Sequence, residues 1–365
     1  MVGGRQNGEE LRVGLFRRVA RARLASLVIR RLRRAGFPDA RYHSATFSVR
    51  FTLAGDDVPS VLQLDALLAQ RSPGRRQRVD RFVAGFLRNP GLPVDWHAAR
   101  PLLRPVLRGA TTPADVSVPL SRPAWPFLAE FVVVDHPETM TYVSVDNGWG
   151  VDADDVFAAA RANLTAATLL GKATEPVVVQ FVDDGDAYWA SHLLLDGWLA
   201  GLAGQVGGAP VAFAPDRGTL LVTADHSEHL PVLFAQAEAV YLASPRAITP
   251  MAYVSDADGR TVPYQAAPGS PFELCVRRAQ ALLAAREYAR QAEQLPLAAE
   301  LLIAEDGRTR ALWPQDGPAL LPVADEVQIG ETIRPWRDVA PLLTEQALTP
   351  PRWRGEGWPV AVSRD

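Results

Sequence analysis

The chain of 365 residues contains a single cysteine, Cys275, and a single lysine, Lys172. One cysteine excludes an internal disulfide and any metal site built from several thiolates. Equally missing is an uninterrupted apolar run of the ~20 residues that a membrane-spanning helix needs. The nearest approach, residues 197–215, is broken by Gln205 and Pro210 and reads as helix, turn and strand. Met1-Val2-Gly3-Gly4-Arg5 opens no apolar leader, and Glu9 and Glu10 follow at once. The expectation is a cytoplasmic protein with no membrane partner. Sequence signatures of known chemistry are absent too. There is no G-x-S-x-G, H-E-x-x-H, H-x-x-E-H or G-x-x-x-x-G-K-[ST]. Gly201, Gly204, Gly207 and Gly208 do not stand between a strand and a helix start, as a dinucleotide fingerprint requires.

What is present is ordinary for a globular chain: 48% hydrophobic and 22% charged residues. That balance rules out disorder throughout. The length exceeds one hydrophobic core and implies about two domains, or one with an appendage. Arginine almost replaces lysine, 37 to 1, and Ala, Gly and Pro are plentiful. This reads as the coding bias of a GC-rich bacterial genome. The net charge of −3 hides a segregation. Residues 1–108 carry 21 Arg against 8 Asp and Glu, whereas residues 109–365 carry 17 basic and 33 acidic residues. Such asymmetry bears on partners.

Along the chain, residues 9–34 have helical character. Leu24, Leu27, Val28 and Leu32 fall on one face, while Arg23, Arg30, Arg33 and Arg34 fall largely opposite. Short strands are expected at 41–44 and 47–53, then helices at 61–70 and 76–87. Residues 89–125 are rich in proline and poor in period, which marks a connector. Beyond it a theme recurs: strand, tight turn, strand, helix. Its turns include Asp256-Ala257-Asp258-Gly259 and Glu305-Asp306-Gly307, where glycine supplies the positive φ of a hairpin loop. Helix starts are expected at Asp152, Asp225 and Ser270. Ser270-Pro271-Phe272-Glu273 has a capping Ser, a Pro at the first helical position and a Glu three beyond the cap. The fold class is therefore α+β, with mixed or antiparallel sheets packed on helices. Three regions are expected: a basic unit at 1–108, a central α+β domain at 109–265, and a C-terminal helix, hairpin and Trp/Pro-rich tail at 266–365.

Candidate chemistry is sparse. His226 and His229 share a helical face, but their spacing fits no zinc motif, and Asp225 and Glu228 are absorbed by a capping box. Asp183, Asp184 and Asp186 lack the regular ligand ladder of a calcium loop. Cys275 falls with Phe272, Ala279 and Leu282 on an apolar stripe and reads as a small core residue. Trp313, Trp336, Trp353 and Trp358 are expected to cement the C-terminal segment rather than stack on bases. No metal and no cofactor is expected.

Residues 127–144 resemble a stretch of the YtpQ-like family of uncharacterised bacterial proteins. Trp149–Leu164 is similar to that family's next helix, Asp184–Leu195 to its D-G-Y-x-A-S-R-L-L segment, and Val211–Val222 to its P-N-R-D-x-L strand pair. This chain reads Pro215-Asp216-Arg217-Gly218 in the last, and His192 stands where the family has an arginine. The resemblance spans about residues 24–264. It implies a cytosolic α+β protein and transfers no catalytic residue.

The leading expectation is a non-catalytic binding or regulatory protein whose partner is another protein or a second copy of itself. The first alternative is an enzyme whose site is assembled from Asp184, His192, Asp216 and Arg217, which lie at strand ends and turns. The second is a nucleic-acid-binding module acting through Arg30, Arg33 and Arg34. Against that module stands internal docking of the basic helix on the acidic body, favoured because the stripe Leu24/Leu27/Val28/Leu32 needs a covering surface. Two readings are directly measurable. With Ser270 as an N-cap, Ser270→Ala is expected to lose ~0.5–2 kcal/mol. Elemental analysis is expected to find no stoichiometric zinc; about one zinc per chain, lost in His226→Ala/His229→Ala, overturns the capping assignment.

Overall fold

The structure is a computed structural model that describes residues 4–44, 47–52, 60–64, 67, 74–87, 91–112, 118–136, 139–164, 171–182, 188–314 and 317–357. The fold is α+β. Two compact units are present: residues 1–91 with 135–141, and residues 92–134 with 142–365.

In the smaller unit, α1 (Gly4–Arg34) lies with a three-stranded antiparallel sheet, β1 (Arg41–His43), β2 (Ser48–Phe51) and β3 (Ser60–Gln63), and with α2 (Arg75–Leu87). The stripe behaves as its spacing requires: Leu24, Val28 and Leu32 are buried against Phe47, Val49, Phe51, Leu62, Val79 and Val83, with Leu27 packed alongside. Its covering surface is thus this unit's own sheet and α2. Residues 61–70 do not open as the expected helix. Val61, Leu62 and Gln63 pair with Arg50, Val49 and Ser48 instead. A short apolar run fits either period, and here pairing with β2 decides.

In the larger unit, α3 (Trp96–Ala99) leads to β4 (Leu103–Gly109), β5 (Ser121–Trp125), β6 (Leu128–His136) and later α4 (Ala153–Ala162), while the end of β6 and all but Tyr142 of β7 (Thr139–Tyr142) count with the smaller unit. The region read as a connector therefore holds two strands, and β4 crosses residue 108. Pro105 and Pro123 sit within them because both strands flank the central β6, and an edge strand tolerates a missing donor.

A five-stranded sheet follows, ordered β12-β11-β9-β10-β8. Its members are β8 (Val179–Val182), β9 (Pro210–Asp216), β10 (Thr219–Ala224), β11 (Ala252–Ser255) and β12 (Thr261–Pro263). Helix α5 (Ala203–Val206) precedes β9, and α6 (Leu230–Ala243) follows β10. Along β9, Val211 and Phe213 face α6, while Ala212 and Ala214 enter a second core with Leu193, Leu220 and Tyr253. Both faces of this strand are buried.

Helix α7 (Glu273–Ala292) then carries the C-terminal sheets. One comprises β13 (Leu301–Ile303), β14 (Thr309–Leu312), β16 (Glu326–Ile329) and β17 (Thr332–Pro335), with β14 and β16 parallel. The other comprises β15 (Ala319–Pro322), β18 (Thr344–Gln346) and β19 (Arg352–Gly355), and a short α8 (Trp336–Val339) lies between β17 and β18 in sequence. Trp313 is buried in this core, with Trp336 and Trp353 packed against it. Trp358 lies outside the described residues. Gly259 and Gly307 take the positive φ expected of their turns.

Two helix starts differ from expectation. Helix α6 begins at Leu230, with His229 at the cap position, so the box of Asp225 and Glu228 does not form. Asp225 instead meets the His226 imidazole at 3.0 Å. Helix α7 begins at Glu273, and the Ser270 hydroxyl is buried without a partner. Only the reciprocal half survives: Glu273 Oε2 accepts from the Gly269 N–H at 2.8 Å. The start is shifted because Ser270 and Glu273 close a turn of their own first; the Glu273 N–H donates to the Ser270 carbonyl.

Arg352 is the largest side chain buried to this degree, at 0% exposure. Its guanidinium donates to the carbonyls of Ala299, Leu320 and Tyr288 and to Gln291 Oε1. Burial lowers its pKa to about 10. Removing it takes a donor from the Ala299 carbonyl and from Gln291 Oε1, each costing ~1–3 kcal/mol, and empties the space of a large buried side chain, costing ~2–5 kcal/mol more. Arg352→Ala is therefore expected to lose at least ~3 kcal/mol in reversible denaturation. Ser270→Ala, with no hydrogen bond to lose, is expected to shift stability by less than ~0.5 kcal/mol. A near-neutral Arg352→Ala overturns the first assignment, and a loss of ~1 kcal/mol or more at Ser270 overturns the second.

Candidate functional site

Strand β4 places Arg108 opposite Ala129, two pairs beyond Val106 opposite Phe131. Directly opposed residues and their i±2 neighbours share one face of a sheet. Arg108 therefore stands on the face that carries Phe131 and Val133. Tyr142 is on the same side, its ring meeting Phe131 edge-on at 5.7 Å. The Arg108 guanidinium, which donates to the Leu107 carbonyl at 2.7 Å, is near enough to this phenol to lower its pKa.

The second wall is the turn between β9 and β10. Asp216 braces it: Oδ1 accepts from the Gly218 N–H at 3.0 Å, and Oδ2 from the Ser244 hydroxyl at 3.1 Å. Ser244 Oγ in turn accepts from the Arg246 N–H at 3.1 Å, and the Arg217 N–H donates to the Arg246 carbonyl. These bonds strap the segment after α6 onto the turn and set Arg217 beside Arg246. Arg290 approaches from α7, paired at 2.6 Å with Glu287. Glu287 is only 1% exposed and also accepts from the Thr111 N–H at 3.1 Å. Gly109 is required here, because a methyl group at that position would overlap the Glu287 carboxylate.

Arg217 thus lies among Arg108, Arg246 and Arg290, whose charges oppose its own, with the Tyr142 phenol also near. Burial, then the neighbouring guanidiniums, push its pKa down to about 9. At neutral pH it is still a cation. Burial acts to raise the pKa of Tyr142, but Arg108 and Arg217 outweigh it and hold the phenol below its ordinary 10. The Nε atoms of both Arg108 and Arg217 are shut off from water and have no acceptor.

Two other buried charges, Glu130 and Arg352, are satisfied. Glu130, 1% exposed, accepts from Arg122 and Arg161 at 2.7–2.8 Å, and these bonds raise Arg161 above its ordinary range. Arg352 is met by carbonyls. The cluster at Arg217 differs: it concentrates positive charge and leaves donors without acceptors. Such an arrangement takes up an anion, since guanidinium forks match phosphate and carboxylate oxygens.

Of the residues singled out by sequence, Asp216 and Arg217 belong to this cluster, Asp216 as its brace and Arg217 at its centre. His192 does not share its contacts. It is fully buried between the rings of Trp189 and Trp198, 5.0 and 5.1 Å away, with Nδ1 3.3 Å from the Tyr188 carbonyl oxygen. Asp184 lies outside the described residues. Arg30, Arg33 and Arg34 are exposed on α1 in the smaller unit. Arg108, Tyr142, Arg246 and Arg290 were not legible in the sequence. They come from four separate elements, and no spacing connects them. Cys275 is half-buried beside Phe272. Among the described residues no group of three or more His, Cys, Asp or Glu is placed to hold a metal ion, and no helix is long and apolar enough to cross a membrane.

Comparison with family models, with curated proteins and with solved structures finds no match.

A cation assembled to bind, rather than to support the fold, weakens the empty protein. Arg217→Met, of similar length and without charge, is expected to leave stability unchanged or raise it by ~1 kcal/mol. Reversible thermal unfolding without added anions is the measurement. A loss of more than ~1 kcal/mol makes Arg217 a structural residue.

Proposed function

We propose that this chain is a non-catalytic binding or regulatory protein that takes up a multiply charged small anion at Arg108, Arg217, Arg246 and Arg290, with Tyr142 as a further donor. The observation that carries this is the unpaired, half-buried Arg217 guanidinium among three others. The four cations stand with two carboxylates, Glu287, engaged by Arg290 and Thr111, and Asp216, engaged by Gly218 and Ser244. The remaining charge suits a ligand with two or more negative charges, such as a phosphorylated or sulfated metabolite. The groups in contact orient and neutralise charge; Ser244, the hydroxyl nearest to a nucleophile, donates to Asp216 and meets no imidazole there. The resemblance to the YtpQ-like family, which transfers no catalytic residue, is compatible with this reading.

The experiment is a thermal-shift and calorimetric series with sulfate, inorganic phosphate, pyrophosphate and a dicarboxylate. An anion at 100 times its Kd raises stability by ~2.7 kcal/mol through mass action. That rise is expected for the wild type and is expected to vanish in Arg217→Met and in Arg108→Met. No shift with any of these anions, or one that persists in both variants, overturns the proposal.

The pH dependence follows from Arg217. Its pKa in the folded protein, about 9, lies below the ordinary 12.5, so the unfolded chain binds more protons between those values. In the anion-free protein this group therefore adds stability as pH rises above about 9. A bound anion needs the cation, so affinity runs the other way. For sulfate, whose charge is constant in this range, affinity is expected to fall about fourfold between pH 7.5 and 9.5. A flat profile removes Arg217 from the site.

A further inference from the structure

We propose that the outer face of α1, together with the first turn of α2, is a docking surface for the phosphate backbone of a nucleic-acid duplex. This surface is in the smaller unit and stands independently of the anion site in the larger one. Arg23, Arg30, Arg33 and Arg34 are exposed on α1, and Arg75 and Arg76 are exposed at the start of α2. A shallow groove of about 640 Å³ is lined by Arg23, Arg30, Arg75 and Arg76 together with Val19, Ala22, Ser26 and Leu27. A second hollow of about 570 Å³ continues past Ile29 to Arg33 and Arg34.

Four observations identify the occupant. First, these guanidiniums have no carboxylate partner among the described residues; Asp80, the nearest acid on α2, is held by Arg31 at 3.1 Å. Second, α2 has no acid in its first turn and two arginines there, which oppose its own dipole. An anion at that end relieves both terms. Third, the stripe Leu24, Val28 and Leu32 of α1 is already covered by this unit's sheet and by α2, so that stripe is not free to lie on a lipid surface. The same burial removes the stripe as a reason for α1 to dock on the acidic body. Fourth, the groove is lined by aliphatic and basic side chains, with no aromatic ring on which unstacked bases could lie. Arg23 and Arg30 stand two turns apart, about 10.5 Å along the helix. A duplex places one phosphate per ~3.4 Å on each strand. The pattern reads charge and regular spacing, not base identity.

The test is fluorescence anisotropy of the full chain with a random-sequence duplex DNA of about 20 base pairs. At 50 mM salt, micromolar or tighter binding is expected, weaker for the corresponding single strand and for phosphatidylserine vesicles. Six phosphate contacts give a log–log salt slope of about −5, hence about a 1,000-fold loss of affinity by 200 mM. Joint replacement of Arg23, Arg30, Arg75 and Arg76 by Glu is expected to abolish binding, and replacement by Lys to retain it. The Gln version, checked by its melting curve, covers the case in which the Glu version fails to fold. Arg217→Met is expected to bind the duplex normally. No binding at 50 mM, a shallow salt slope, preference for the single strand or for vesicles, or an unaffected but folded Glu or Gln variant each overturns the proposal. So does a Glu variant whose only change is lower stability, which assigns the arginines to an internal contact.

Discussion

Taking a guanidinium out of water is the constraint that shapes this molecule. The group cannot shed its proton at neutral pH, so burial obliges the fold to supply acceptors or to bear the cost. With 37 arginines and one lysine, the chain meets that obligation repeatedly. Arg352 is met by three backbone carbonyls and Gln291, and so pins β15 and β19 to the end of α7. Arg122 and Arg161 close around Glu130, which ties α4 and β5 to the middle of β6. Arg122 also lies over the Phe157 ring at 4.1 Å, so its planar face is used as well as its edge.

Arg217 is the departure from that pattern. It is held in place by its backbone and by the bracing of Asp216, Ser244 and Arg246, while its charged end meets other cations. A fold that satisfies Arg352 with four acceptors has the means to satisfy Arg217. That it instead gathers Arg108, Arg246 and Arg290 around it separates this cluster from the paired arginines at Glu130 and from Arg352. That Tyr142 is shifted against the effect of burial, and Arg217 with it, is a consequence of that crowding.

The basic surface of α1 and α2 obeys the opposite regime. Its arginines are in water, where each contributes little to stability and the sum is screened by salt. Their value lies in the field they make together. One chain thus uses the same residue type in three ways: neutralised inside the core, concentrated and half-buried around Arg217, and spread over a solvated face.

The sequence by itself determined what depends on local period and on composition: the α+β class, the helix at 9–34 with its buried and charged sides, the hairpins at 252–263 and 301–312, and the charge segregation. Hydrophobic alternation and glycine turns are short-range signals, and they survive folding unchanged. Tertiary structure decided the rest. Residues 61–63 became a strand because β2 offered them partners; 103–109 and 121–125 kept their prolines because they flank β6; Ser270 lost its capping role to a turn formed one step earlier. The site divides in the same way. Asp216 and Arg217 were legible as a turn, but Arg108, Tyr142, Arg246 and Arg290 lie up to 182 residues apart along the chain. Only strand register, the strap after α6 and the approach of α7 bring those charges together, and no pattern in one dimension encodes a distance in three.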